Sequence, residues 1–170
     1  MKRNEGFTVT ELMVAVVIIG VLASIAIPGF SSYIYKARVT EATNFLGKIK
    51  QRQESYRNEF GQYCAVDGAD WGSWNPATIP GIDPVGWQAT NEWNQLGASP
   101  DGPIRFRYAT IAGFPGVAGP TDSIDINPND HWFLARAEGD LNEDTVTFYV
   151  EISSQSDRIY NSAIGKGGWE

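Results

Sequence analysis

The chain has 170 residues, 42% of them apolar and 19% charged, with a formal net charge of −7. That is the make-up of one folded domain, or a domain with an appendage, and it excludes a disordered or collagen-like chain. The acidic balance argues against nucleic-acid binding. The single cysteine, Cys64, excludes an intramolecular disulfide, and the single histidine, His131, excludes sites built on several histidines.

The average hides an uneven chain. Residues 12–28 read LMVAVVIIGVLASIAIP, with Ser24 as the only polar side chain, and Glu11 is the only charge from Phe7 to Pro28. As a helix, residues 7–28 would extend about 33 Å, enough for the roughly 30 Å hydrocarbon core of a bilayer. Lys2 and Arg3 precede the run, so the positive-inside rule keeps the short N-terminus cytoplasmic and exports the chain beyond Pro28. A buried core helix is a poor account of so long an uncharged run beside a basic terminus. A secretory signal cut after Ser24-Ile25-Ala26 is a second account. The carboxylate of Glu11 just ahead of the run favours a third, a permanent anchor.

The stretch Gly6-Phe7-Thr8-Val9-Thr10-Glu11-Leu12-Met13-Val14 closely resembles the processing site of type IV pilins and of type II secretion pseudopilins. The resemblance covers about residues 1–60. It implies a leader, residues 1–6, cut by a prepilin peptidase after Gly6, with methylation of the new amine on Phe7. It places Glu11 as the fifth mature residue, Gly20 as the fourteenth and Pro28 as the twenty-second, all in the family register. Val9 and Thr10 stand where the family more often has bulkier apolar residues. The fold it implies is α+β, a pilin-like long N-terminal helix with its hydrophobic half protruding, packed on a C-terminal antiparallel sheet.

The physics of the motif can be stated on its own. A carboxylate at the edge of an apolar run is expensive unless paired. Cleavage before Phe7 creates a cationic amine four residues from Glu11, and a neighbouring helix shifted along the axis can offer the same partner. Glu11 reaching water from the headgroup region is the plainer alternative. Gly20 weakens a helix and Pro28 supplies no N–H, so the turns between them are where the helix can loosen or stretch; simple bending is the other reading.

Beyond Pro28 the pattern becomes amphipathic. Phe30, Tyr33, Ile34, Val39, Ala42, Phe45, Leu46, Ile49, Tyr56 and Phe60 recur at spacings of mostly three and four, predicting one buried face, and Gly61 is the stop. The pattern predicts one helix from Phe7 to near Phe60, divided into a membrane or filament-core part, 7–28, and an amphipathic part, 29–60. Residues 61–170 form the head. Its first part, 61–130, holds 10 of the 18 Gly and 8 of the 9 Pro, and reads as loop-rich and pinned by Trp71, Trp74, Trp87 and Trp93. Buried anchors are the main reading for these rings, with a sugar-binding platform as the sharper one. Strands are predicted at Ile104–Ala109, His131–Ala137 and Val146–Ile152, with a turn at Gly139–Asp144 and a further strand at Arg158–Ala163. The tail, Gly165 to Gly168, reads as flexible.

Little in the head suggests catalysis. Asp140, Asn142 and Asp144, with Glu151 twelve positions along when Asp140 counts as the first, have the spacing of a calcium loop. Thr145 sits where the sharp turn wants Gly, so an acidic hairpin turn is the better reading. Cys64 reads as a small hydrophobe, His131 has no evident partner, and Asp67 with Asp70 reads as a solvated loop. Residues 29–60 hold six basic and three acidic side chains, and residues 61–170 hold five basic and fifteen acidic, so a basic stem carries an acidic head. Staggered subunits could attract one another through that split, or the acids could serve solubility.

The expectation is a non-enzymatic structural subunit of a type IV pilus, with no cofactor, no metal site and no nucleic-acid partner. The resemblance implies the partners: further copies in a helical filament, a prepilin peptidase, an assembly ATPase, an inner-membrane platform protein and the bacterial inner membrane itself, with the assembled pilus at the cell surface. A minor pilin or pseudopilin is the alternative within the family, and a membrane-tethered binding domain is the alternative outside it.

Overall fold

The computed structural model describes residues 6–66, 68, 70–121 and 124–162. The leader up to Glu5, Asp67 of the candidate acid pair, the end of the last predicted strand at Ala163 and the tail from Gly165 to Gly168 lie outside the described residues.

Helix α1, Val9–Phe60, runs unbroken for 52 residues, about 78 Å at 1.5 Å per residue. It begins two residues later than the apolar pattern suggests because Thr8 is extended, at φ −80° and ψ 154°, and caps the first turn. Gly20 and Pro28 lie inside it without interrupting it. It stops at Gly61, as expected. There φ is 75°, a left-handed backbone that suits glycine, and the Gly61 N–H donates to the Arg57 carbonyl at 2.8 Å.

The buried face of α1 is shorter than the spacing predicts. Phe30 and Tyr33 are exposed, and contact with the head begins at Tyr35 and Val39. Ala42, Phe45, Leu46 and Ile49 are the buried centre of that face. Phe60, at the far end, is exposed again and packs its ring on Tyr56 at 4.4 Å.

Among the described residues, four antiparallel strands form one sheet in the order β1 (Arg107–Gly113), β2 (Trp132–Gly139), β3 (Phe148–Ser153), β4 (Tyr160–Asn161). The predicted strand at Ile104–Ala109 is displaced. A bend at residues 105–106 lets the Arg105 N–H donate to Glu41 Oε1 of α1 at 2.9 Å, while Ile104 forms a separate bridge with Val85. The strand proper starts at Arg107. Val146 falls before β3 and is exposed, and β4 is only two residues long among the described residues.

Both faces of the central strand are buried, which is why alternation is a poor guide here. One face, with Phe133, Ala135, Ala137, Phe148, Val150 and Ile152, packs on α1. The other carries Ile111, Trp132 and Leu134, roofed by Trp71, Val117, Ile124 and Ile126 from the loop-rich region. That outer face also holds a row of opposite charges across the strands. Arg107 meets Glu138 at 2.6 Å, and Arg136, 5% exposed along its side chain, meets the fully buried Glu151 at 2.7 Å. Trp74 covers Arg107, and Trp71 and Tyr149 cover Arg136, with ring centroids 4.3–4.5 Å from the guanidinium carbons. Short helix α2, Asn91–Leu96, has no counterpart among the predicted elements. Thr90 caps its start, Gly97 closes it at φ 69°, and its Trp93 and Leu96 plug the core.

Candidate functional site

The N-terminal end of α1 gathers most of the motif residues. Gly6 and Phe7 precede the helix, and Phe7 is 91% exposed. Glu11 is the third residue of the helix, and its Oε2 accepts from the Thr8 N–H at 2.9 Å and from the Thr8 hydroxyl at 2.8 Å. In return the Glu11 N–H donates to Thr8 Oγ1 at 3.3 Å. This reciprocal capping box satisfies two donors that the first helical turn would otherwise leave open. The carboxylate is therefore held within its own helix, and Thr8 joins the site as a residue that the charge pattern does not reveal. Its sequence signal is a Thr followed three positions later by Glu.

From this cap onward, Val9–Ile27 is a 19-residue stretch long and apolar enough to cross a membrane, and none of it is buried inside the protein. Ser24 turns its hydroxyl back onto the Val21 carbonyl at 2.7 Å, so its polarity is spent within the helix. A Cβ added at Gly20 would touch nothing within 4 Å. The apolar half projects from the head as a bare rod.

The family model described as the prokaryotic N-terminal methylation motif matches residues 1–27. This segment carries the processing and methylation motif, and over it the chain is similar to type IV pilins. A fimbrial protein of Moraxella nonliquefaciens is 38% identical over 86 residues, 46% of this chain and 56% of that protein. A type IV major pilin protein of Myxococcus xanthus is 43% identical over 61 residues, 36% of this chain and 28% of its own length. A probable minor fimbrial protein of Dichelobacter nodosus is 39% identical over 59 residues, 35% of this chain and 37% of that one. The chain thus spans about half the length of the first relative and less of the others. No solved structure matches the chain.

In the head, the residues with possible chemistry are drawn into structural roles. Glu151, the twelfth position of the calcium-like spacing, points away from the loop: it accepts from Arg136 Nε at 2.7 Å and from the Ile124 N–H at 2.6 Å. The loop itself is knitted by its own side chains. Thr145 N–H donates to Asp140 Oδ2 at 3.0 Å, and Val146 N–H to Asp144 Oδ1 at 2.7 Å. Cys64 is buried, and that burial pushes the pKa of its thiol up to about 11. His131 sits just before β2 with its ring edge-on to Phe114 at 5.6 Å. Asp70 lies in an exposed turn. Trp93 is buried, Trp87 packs edge-on against it at 5.0 Å, and Trp71 stacks with Trp74 at 5.8 Å. The anchor reading of the tryptophans describes these contacts.

Proposed function

We propose that this chain is a pilin, a structural subunit of a type IV pilus rather than an enzyme. One observation carries the reading: Gly6, Phe7 and Glu11 stand in processing register at the mouth of an unbroken helix whose 19-residue apolar stretch Val9–Ile27 is wholly unburied. In the precursor that stretch spans the inner membrane with Lys2 and Arg3 on the cytoplasmic side. A prepilin peptidase cuts after Gly6, whose missing side chain admits an extended backbone to a narrow site, and the Phe7 amine is methylated. An assembly ATPase and a membrane platform protein then move the subunit into a helical filament whose core is the apolar helices.

Glu11 sets the register in this reading. Its carboxylate exchanges the Thr8 cap for the cationic Phe7 amine of an adjacent subunit, and a misplaced subunit would leave both charges unpaired in an apolar core. Gly20 and Pro28 bound the segment that unwinds and lengthens in the filament, toward about 3.3 Å per residue.

The outward face of α1 beside the head also supports packing against further copies. Ala37, Thr40, Asn44, Gly47, Gln51 and Ser55 are exposed at spacings of three and four, and all are small or uncharged. The hydroxyls of Thr40 and Ser55 fold back onto the carbonyls of Lys36 and Gln51. Gly47 has open space around it, yet glycine costs about 1 kcal/mol relative to alanine inside a helix. A smooth uncharged stripe lets a second helix lie close.

The test separates processing, insertion and assembly. Mass spectrometry of the mature protein is expected to find methylated Phe7 at its N-terminus; an N-terminus at Ile27 would instead establish a secreted protein. Glu11→Ala is expected to leave membrane insertion intact and to abolish or sharply reduce sheared filaments. Glu11→Gln is expected to be nearly as damaging, because the amine stays cationic. Normal filaments built from Glu11→Ala protein would overturn the register role. Filaments in which this chain is a trace component would identify the minor-subunit form of the same reading.

A further inference from the structure

At one end of the head, the last turn of α1, His131 just before β2 and Ser154 just after β3 line a cleft of about 350 Å³. Arg57 brings a guanidinium to it, and Tyr63 holds that group in place. The Tyr63 ring centroid lies 4.9 Å from the guanidinium carbon, and its hydroxyl accepts from Arg57 Nη1 at 2.8 Å. The same hydroxyl donates to Glu54 Oε1 at 3.1 Å, so it is fully used. Arg57 Nε and Nη2 bond to nothing among the described residues, and both keep accessible surface. A half-buried guanidinium thus lines the cleft with most of its donors unused. Asp130, exposed at the same cleft, makes no ion pair with Arg57. Its charge shortens the reach of the field there, which favours direct contact over long-range steering.

The opposite end of β2 presents the complementary group. The loop after Gly139 is tied to α1 through Arg38 Nη1, which donates to the Leu141 carbonyl at 3.2 Å. Glu143 is exposed on this loop. Its Oε1 accepts from the Ile82 N–H at 3.2 Å, beside Gly81, where an added Cβ would come within 2.6 Å of that oxygen. Its Oε2 bonds to nothing among the described residues. Each end also exposes apolar side chains: Phe60 and Phe114 near Arg57, Ile82 and Val146 near Glu143. The length of β2 separates the ends by about 26 Å at 3.3 Å per residue. The rise of α1 from Arg38 to Arg57 gives about 28 Å. A fixed donor fork and a held carboxylate therefore stand on opposite ends of one head, too far apart to meet within a subunit.

We propose that the Arg57 cleft of one subunit receives the Glu143 carboxylate of a second copy of this chain. The contact rests on the filament reading and adds to it a head-to-head link along the axis, separate from the packing of the apolar helices. Arg57 Nε and Nη2 donate to Glu143 Oε2, a charge-assisted pair for which the planar fork is suited. Phe60 and Phe114 of one head then meet Ile82 and Val146 of the other and shield the pair from water. Because the two surfaces differ, the contact does not close on itself, and each subunit that joins leaves a fresh cleft or a fresh carboxylate for the next.

The yield of sheared filaments from cells making the full chain tests this, for wild type, Arg57→Gln, Glu143→Gln and the double variant. Mature subunit in the membrane fraction is the control for folding and processing. Each single variant is expected to lower the yield roughly fivefold, the scale of one ion pair per contact, and the double variant no further than the lower single. Charge exchange is the second arm: Glu143→Arg is expected to restore filaments lost in Arg57→Glu. A folding defect at Arg57 would not be repaired from the other end of the head, so this arm stands if a single variant disturbs the fold. Losses that multiply in the double variant overturn the contact, as does normal yield in either single variant. Loss in Arg57→Gln alone would assign the cleft to an anion other than Glu143 and overturn the pairing. Wild-type filaments that contain none of this chain would overturn the filament reading and the contact together, whereas wild-type filaments with multiplying losses overturn the contact alone.

Discussion

The two halves of α1 are one continuous helix held in place by different means. From Val9 to Ile27 no residue is buried, and the polar contacts described there, the Thr8–Glu11 cap and Ser24 on Val21, are local. From Val39 onward the helix is bound sideways to a sheet. Gln53, fully buried, donates Nε2 to the Cys64 carbonyl at 2.8 Å and to Thr110 Oγ1 at 3.1 Å, and its Oε1 accepts from the Cys64 N–H at 2.9 Å. The same secondary structure thus rests on surroundings in one half and on tertiary contacts in the other. Damage to the head should therefore stop short of the apolar half.

The sharpest way to break that comparison is Glu151→Ala. It removes the nearer carboxylate from the buried Arg136, leaving Glu138 at 3.8 Å, and takes away the acceptor of the Ile124 N–H, at a cost of about 3 kcal/mol to the head. Near-UV circular dichroism during denaturation should show early loss of tertiary structure, while the protein still fractionates with membranes. Loss of membrane retention would mean that the halves are coupled.

Gln53→Leu is a milder cut at the seam between helix and sheet. It removes the side-chain partner of the Cys64 N–H and carbonyl, while the Thr110 hydroxyl keeps its bond to the Leu134 carbonyl at 3.1 Å, and a loss of about 1–3 kcal/mol is expected in the same measurement. A neutral effect would show that the amide does not fasten α1 to the head.

Alkaline pH tests the same seam from the loop side. Burial raises the pKa of the Cys64 thiol from 9.0 to about 11, so between those values the unfolded chain loses its proton while the native head keeps it. Stability contributed by the neutral thiol is complete below pH 9 and falls as pH rises toward 11, by about 1 kcal/mol at pH 10. Thermal melts of wild type and Cys64→Ala across that range should differ in slope, with the variant flatter; parallel slopes would contradict the burial argument.

The smallest effect concerns the open face. Gly47→Ala should stabilise the isolated subunit by about 0.5–1 kcal/mol, since an added Cβ meets nothing within 4 Å. Gly47→Lys should leave the subunit folded by thermal melt yet lower the yield of sheared filaments. Unchanged filament yield would remove this face from the packing surface.

The long helix is legible in the sequence because its evidence is local: an uncharged run, three-and-four spacing, and Gly61. Long-range evidence is harder to read. Ile104, Phe106 and Tyr108 alternate like a strand, but the bend that gives the Arg105 N–H to Glu41 depends on a residue 64 positions away. β2 is legible only as a strand; it is buried on both faces because Trp71 and Ile124 arrive from loops to cover it. Glu151 sits on the outward-pointing positions of its strand, and only the register opposite Arg136 shows that outward means interior. Helix α2 is hard to see although Thr90 and Gly97 mark its ends, because six residues give too little periodicity to stand out among glycines and prolines. At the N-terminal site, charge makes Glu11 legible, whereas Thr8 gains its role only from the open N–H groups of a first turn.

The unbroken course of α1 has a mechanical consequence. Traction on the apolar end runs along a single rod of backbone hydrogen bonds to Gly61 and need not pass through the sheet. The head hangs from that rod by lateral fastenings: Gln53 on Cys64, Glu41 on Arg105, and Lys50 on Asp157 at 3.1 Å. Tension along the rod and the strength of the head are then separate properties, and the loops of residues 61–130 can vary in length and composition without thinning the line along which force travels.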